Sequence, residues 1–259
     1  MSSPDPAKIE RYPEGLREEW TGEATVSAWR KWQAPLAAFT REATQALLQA
    51  AQLRPGMRVL DLASGVGDPT LAIAEVVGPS GHLIATDLGP GMIVLGEELA
   101  QARGLRNIEF RVANVEVLPF PDESFDVVTC RFGAMFFPDQ IKAFRECLRV
   151  LKHGGRVALV VWGKREEPFL GTTFGIISKY VELPPPDPNA PHAFMFAERG
   201  LLTQQFTEIA APFRSLVAKP TGETHTRAEA EIFEAPLNLY DGSAITRPLE
   251  IVVGTGIRA

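Results

Sequence analysis

The residues with most chemical meaning lie in the stretch Val59-Leu60-Asp61-Leu62-Ala63-Ser64-Gly65-Val66-Gly67-Asp68-Pro69-Thr70. An apolar run ends in an acidic residue, a Gly-x-Gly turn follows, and Asp68 and Pro69 open a helix. Gly65 and Gly67 let the backbone approach a ligand closely, and the first helical turn offers N–H groups without internal partners. A dinucleotide fingerprint, Gly-x-Gly-x-x-Gly, would need a third glycine at position 70, where this chain has Thr70. Asp61 argues the same way, because a carboxylate facing the turn repels a pyrophosphate but attracts an ammonium or an ordered hydroxyl. A second apolar run ends Ile84-Ala85-Thr86-Asp87, about twenty residues past the turn, where a carboxylate can accept both hydroxyls of a ribose. A nucleoside without an adjoining pyrophosphate is implied.

These groups need a scaffold that brings successive strand ends together. From Met57 onward, short apolar runs alternate with amphipathic stretches, the signature of βα units on a parallel sheet. The pattern predicts strands near residues 58–62, 82–86, 108–112, 125–130 and 156–161, with helices near 69–77, 91–103 and 138–151. Gly78-Pro79-Ser80-Gly81, Arg103-Gly104 and His153-Gly154-Gly155 mark turns. Upstream, Leu16, Trp20, Trp29, Trp32, Leu36, Phe39, Ala43, Leu47 and Leu48 recur at helical spacing. Downstream, helices are expected at 169–181, 194–206 and 228–239, a stiff proline linker at 184–188, and strands at 213–217 and 249–256. The domain reading is a helical cover over 1–50, a Rossmann-like core over 51–165, and a substrate lid with the last strands over 166–259.

Composition narrows the function classes. The 259 residues carry 26 Lys plus Arg against 32 Asp plus Glu, a net charge of −6, which opposes a phosphate backbone or an anionic membrane surface as partner. No apolar run is long enough for a membrane span, and the leading Met1-Ser2-Ser3-Pro4 stretch has no signal-peptide pattern, so the expectation is a cytoplasmic chain. Cys130 and Cys147 are too few for a disulfide framework and lack metal spacing. His225-x-x-x-Glu229 has metal-compatible spacing without a third ligand, and no metal is expected.

A ribose on Asp87, an amino-acid tail near Asp61 and no phosphate between them describe S-adenosylmethionine (SAM). Here the sequence resembles the class I SAM-dependent methyltransferases, in particular their UbiE-like ubiquinone/menaquinone-biosynthesis branch, with blocks in order over residues 25–165. The resemblance implies a seven-stranded, mostly parallel sheet sandwiched by helices, SAM as cofactor and S-adenosylhomocysteine as product. By it, Asp61, Ala63, Ser64, Gly65 and Gly67 wrap the methionine part, Asp87 takes the ribose, and Leu88 and Met92 flank the adenine. Asn114, Val115 and Glu116 stand at the adenine edge, and Arg131 and Phe132, with Gly133, face the methyl group. Trp29 and Trp32 lie in helices that fold over the cofactor in this family, where their rings would shield the sulfonium. Asn114 replaces the usual aspartate, so the adenine amine meets either its side-chain oxygen or the backbone. His153 replaces the usual proline, and the chain beyond Leu201 reads as shorter than the family's lid.

The expected reaction is carbon or oxygen methylation of a small hydrophobic or aromatic acceptor, with Phe132, Phe136, Trp162, Phe194 and Phe196, beside Met195, forming its pocket. His192 is the first candidate general base, ahead of His225 and Tyr180; such a base contributes typically about 10²–10⁴-fold. Arg131 either assists at the substrate or pairs with Asp139 or Glu146. Competing readings are a non-catalytic SAM-binding protein with a shortened lid, an NAD-type oxidoreductase disfavoured by Thr70, and a nucleic-acid methyltransferase opposed by the net charge. Monomer and homodimer both remain open.

Overall fold

A computed structural model describes residues 18, 20–163, 191–196 and 251–258. The helices α1 (Glu23–Phe39) and α2 (Arg41–Ala51) precede β1 (Arg58–Leu62), α3 (Thr70–Val77), β2 (His82–Asp87), α4 (Pro90–Ala102) and β3 (Ile108–Val112). β4 (Phe125–Arg131), α5 (Gln140–Val150), β5 (Leu151–Trp162) and β6 (Ile251–Ile257) follow. Among the described residues the strands form a six-stranded sheet in the order β3-β2-β1-β4-β5-β6. All neighbours are parallel except β5 and β6. The seventh strand implied by the resemblance is therefore not among the described elements, and the stretch expected at 213–217 lies outside the described residues. So do Tyr180, His225 and the helices expected at 169–181 and 228–239. The first residues of the helix expected at 194–206 form a turn, with the Met195 N–H donating to the His192 carbonyl at 3.1 Å.

Why these segments take these forms is visible in their burial. In β1, Leu60 and Leu62 pack on one face with Val128 and Cys130 of β4. Val59 points to the other face with Val127, Leu83 and Ile73, as the two-residue repeat of a strand requires. Both faces are covered, so the strands read as continuous apolar runs. In α5, Ala143, Phe144, Cys147 and Val150 are buried on one stripe, and Asp139 caps the helix by accepting from the Lys142 N–H at 2.9 Å. Phe144 and Leu47 are fully buried, one under each face; each such side chain contributes about 1.5–3 kcal/mol of burial.

Two boundaries differ from the sequence expectation for identifiable reasons. β5 starts at Leu151 because that residue pairs with Phe125; the His153-Gly154-Gly155 turn then bulges before Arg156 pairs with Val127. α3 starts at Thr70, and Asp68 does not cap it, since its carboxylate turns to Arg131 at 2.8 Å.

The sheet order reverses between β1 and β4, and in open α/β sheets the crevice for ligands forms beyond the strand ends at such a point. Of the two helices expected as a cover, α1 stands over this edge and leans on α4 through Arg30 and Glu98 at 2.8 Å and through Val26, packed over Gly91, whereas α2 packs on one face of the sheet through Ala43, Leu47 and Ala51. No helix among the described residues is long and apolar enough to cross a membrane.

The α3–β2 turn gives a direct test of this packing. A Cβ on Gly81 would stand 2.7 Å from the Val77 carbonyl oxygen and 2.9 Å from that of Met57, and neither backbone atom can yield cheaply. Gly81→Ala is expected to destabilise the fold by about 1–3 kcal/mol, read as a lowered denaturant midpoint with an unchanged slope.

Candidate cofactor and acceptor site

Beyond the ends of β1, β2 and β4 lies a cavity of about 370 Å³, within the range of small-molecule sites. Its floor is the glycine turn. Ala63 and Phe132, at the ends of β1 and β4, both have positive φ, 50° and 58°, a conformation uncommon for residues other than glycine and concentrated at functional sites. Gly133 is required between them: a Cβ there would meet that of Ala63 at 2.4 Å.

Asp87, partly open to the cavity, is held at the end of β2 by backbone amides. Its Oδ2 accepts from the Gly65 N–H and its Oδ1 from the Gly89 N–H, each at 2.9 Å. Burial pushes its carboxyl upward, and the amides of Gly89, Gly65 and Leu88 oppose that shift. The glycine turn and the acidic strand end are thus one unit. Ser64 lies beside them, 2% exposed, its N–H donating to the Thr86 carbonyl at 2.9 Å and its hydroxyl buried without a hydrogen-bond partner among the described residues. A buried hydroxyl without a partner is costly, and a polar ligand in the cavity would relieve it after a small rotation.

Of the residues read from the sequence, Ala63, Ser64, Gly65, Asp87, Leu88, Met92, Asn114, Val115, Arg131, Phe132, Phe136, Trp162 and Trp29 line the cavity. Trp29 also packs on the Val66, Met92 and Leu95 cluster. The Phe132 and Trp162 rings stack at 3.8 Å, 10° from parallel. Asn114 Oδ1 accepts from the Glu116 N–H at 2.9 Å and caps a short 3-10 turn, which occupies the side-chain oxygen expected at the adenine amine.

Other expected residues lie elsewhere. Trp32 is 51% exposed, with the Lys31 ammonium 5.2 Å from its ring; Trp20, tilted against Phe136 at 5.1 Å, takes the place on the cavity wall. Asp61 is sealed beneath the floor, and Gly67 packs against Gly96 of α4. Glu116 turns into the interior, accepting from the Asp139 N–H at 3.0 Å and pairing with Lys142 at 3.6 Å. His192 accepts from the Phe194 N–H through Nδ1 at 3.2 Å and is not on the cavity wall. Phe194 is likewise off the wall, and Phe196 is buried in the core near Phe144, ring centres 6.2 Å apart.

Arg131 differs most from expectation. It pairs neither with Asp139 nor with Glu146. Its Nη2 meets Asp68 Oδ2 at 2.8 Å and the Asp68 carbonyl at 2.6 Å, while Nη1 donates to the hydroxyls of Thr40 and Thr44 at 2.8 and 2.5 Å. The sequence reading missed this pair, together with Leu36, Phe39, Phe137 and Trp20 on the wall. The available signal was the helical spacing of Trp29, Leu36 and Phe39, which put them on one stripe without saying what it faced.

Asp61 carries a pH signature. Its carboxyl is fully buried, which raises its pKa to about 6, against hydrogen bonds from the Thr70 and Thr129 hydroxyls at 2.6 and 2.7 Å. The folded chain therefore binds this proton more tightly than the unfolded one, and the contribution to stability is lost as pH rises from about 4 to about 6. A shift of this size corresponds to about 3 kcal/mol. The unfolding free energy of the wild type minus that of Asp61→Asn is expected to fall by up to that amount across the window; parallel pH profiles would contradict it.

Comparison with known proteins identifies the family. The family model described as the ubiE/COQ5 methyltransferase family matches residues 39–185. The ubiquinone/menaquinone biosynthesis C-methyltransferase UbiE of Ectopseudomonas mendocina is 40% identical over 127 residues, 49% of this chain and 50% of that protein. The Shewanella sediminis protein of the same name is 36% identical over 132 residues, 51% of this chain and 53% of its own length. The chain thus spans about half the length of the curated relatives it matches. The crystal structure of YcgJ from Bacillus subtilis shares the fold, with a TM-score of 0.55 at 23% identity, covering 84% of this chain and 98% of that one. Strand order, the Asp87-anchored glycine turn and the sequence match together place the chain in the ubiE/COQ5 methyltransferase family.

Proposed function

We propose that this chain is a SAM-dependent methyltransferase acting on carbon or oxygen of a small, hydrophobic aromatic acceptor of the reduced-quinone type. The observation that carries the reading is the Asp87 carboxylate, pinned by the Gly65 and Gly89 amides on the wall of a largely apolar cavity. A carboxylate held this way presents its remaining lone pairs to a diol, which is what a ribose offers. Leu88, Met92 and Val115 supply an apolar slot for a base, and Ser64 and Gly65 close on the chain beyond the sugar. Thr70 stands where a dinucleotide fingerprint needs its third glycine, which disfavours a pyrophosphate at this turn.

When bound, SAM supplies a sulfonium-activated methyl group with its own leaving group. The protein's part is then to align donor and acceptor and to exclude water. Phe132, Phe136, Phe137, Trp162, Trp20 and Phe39 surround the remaining space with aromatic surface, which suits a flat apolar acceptor. The names of the relatives, which specify a C-methyltransferase of quinone biosynthesis, support the reduced-quinone class.

The test is transfer of a deuterium-labelled methyl group from SAM to 1,4-dihydroxynaphthalene under anaerobic conditions, followed by mass spectrometry. Labelled product is expected from the wild type. Asp87→Ala is expected to raise the KM for SAM by about 10–100-fold, the range for losing a hydrogen bond to a charged group, while kcat at saturating SAM changes far less. No product from a chain that binds SAM would favour the non-catalytic SAM-binding reading.

A further inference from the structure

Among the described residues lining the cavity, the charged side chains are Asp68, Asp87 and Arg131, and the three differ in what they leave available. Asp87 has backbone N–H groups on both oxygens and faces the nucleoside end. Arg131, with a side chain 7% exposed, has both Nη groups committed to Asp68, Thr40 and Thr44. Its Nε is buried without a partner among the described residues. Asp68 is held from one side: Oδ2 receives Arg131 at 2.8 Å and lies 3.4 Å from the Thr40 hydroxyl, which donates to the Leu36 carbonyl at 2.8 Å. Its Oδ1, in a side chain 24% exposed, has no hydrogen-bond partner among the described residues.

A carboxylate oriented by a buried arginine, with one oxygen uncommitted in a largely apolar cavity, is built to accept a proton or a hydrogen bond from what fills the cavity. We propose that Asp68 receives the hydroxyl proton of a phenolic or enolic acceptor and that Arg131, anchored on Thr40 and Thr44, is the positioning residue that aims it. The proposal rests on the methyl-transfer reading above and assigns that site its base. The acceptor's O–H bond breaks and its proton passes to Asp68 Oδ1. The electron pair released forms the new bond to the methyl carbon, at the oxygen or at a conjugated ring carbon, as the methyl–sulfur bond breaks and its pair returns to sulfur. After attack at carbon, the proton displaced from that carbon restores the hydroxyl, and Asp68 returns its own proton to solvent. The acceptor class follows: an aromatic bearing an ionisable hydroxyl, in preference to its methyl ether.

This geometry also explains why His192, off the wall and tied into its own turn, is not needed as the base. It further gives the α1–α2 junction a role in the site, because Thr40 and Thr44 hold the arginine that holds Asp68.

The experiment compares wild type, Asp68→Ala, Asp68→Asn and Arg131→Lys. Binding of 1-naphthol and 1-methoxynaphthalene is measured calorimetrically in the S-adenosylhomocysteine complex, without turnover. Wild type is expected to prefer 1-naphthol by about tenfold or more, a hydrogen bond to a charged group, and Asp68→Ala to lose that preference while its affinity for S-adenosylhomocysteine stays within about threefold. With 1,4-dihydroxynaphthalene as acceptor, Asp68→Asn, which preserves shape, is expected to lower kcat by about 10²-fold with little change in the KM for SAM. Arg131→Lys should fall between, again in kcat rather than KM. A naphthol preference surviving in Asp68→Ala, or an undiminished kcat in Asp68→Asn, overturns the proposal. Loss of S-adenosylhomocysteine affinity in Asp68→Asn with the naphthol preference intact also overturns it, and would assign the carboxylate to the donor's ammonium. If the wild type binds neither SAM nor its product, the methyl-transfer reading falls, and the same naphthol comparison on the free chain still decides the role of Asp68.

Discussion

A single buried carboxylate ties this structure together. Asp61, the last residue but one of β1, lies fully inside the protein, receives the hydroxyls of Thr70 from α3 and Thr129 from β4, and lends its backbone oxygen to Thr86 of β2. Burying a charge without partners is prohibitive, whereas one with a hydrogen bond on each oxygen fixes the groups that give them. Three strands and the helix after the glycine turn are therefore locked in register at the point where the sheet order reverses. The turn from Ala63 to Gly67 has little freedom left. Its positive φ at Ala63 and Gly65 follows from leaving β1 and entering α3 over so few residues. The Gly65 amide then points at Asp87.

The polar groups of the cavity form a sequence of supports, each fixed by the one beneath. Asp61 fixes the turn, the turn fixes Asp87, and Arg131 joins the far end of the same turn, Asp68, to the cover helices through Thr40 and Thr44. Such an arrangement suits a reaction whose reagent carries its own driving force, because the protein's main contribution is to hold two partners in line. The aromatic residues of the lining make no comparable demand. Phe132 is the link between the two: its backbone turns at the end of β4 beside Ala63, and its ring stacks on Trp162 of β5.

The sheet was legible because each strand is a short apolar run bounded by turn residues. β1 and β3 fall at their predicted bounds, and β2 and β4 extend one residue further, to Asp87 and Arg131. Asp87 was legible for the same reason, since its place at a strand end twenty-two residues from Gly65 is set by the βαβ repeat. What failed was the direction in which a side chain points. Asp61 occupies the position of a ligand-facing acid, yet the hydroxyls of Thr70 and Thr129 draw it inward. Asp68 reads as a helix cap beside a proline and is instead drawn to Arg131. Spacing along α1 cannot distinguish Trp29 from Trp32, because the whole helix lies over the rim and none of its residues is fully buried; which tryptophan turns inward depends on the neighbouring Val66 and Met92. Pairings across long stretches of chain, such as Arg131 with Thr40 and Thr44, leave no local pattern to read.

On the reading proposed above, the β1–α3 turn and Asp87 form a nucleoside site that, with Thr70 where a third glycine would stand, does not take a pyrophosphate. Isothermal titration of the wild-type chain with SAM and with NAD⁺ under identical conditions tests it most directly. Saturable one-to-one binding of SAM is expected, with no measurable heat from NAD⁺. Binding of NAD⁺ equal to or tighter than that of SAM would contradict it.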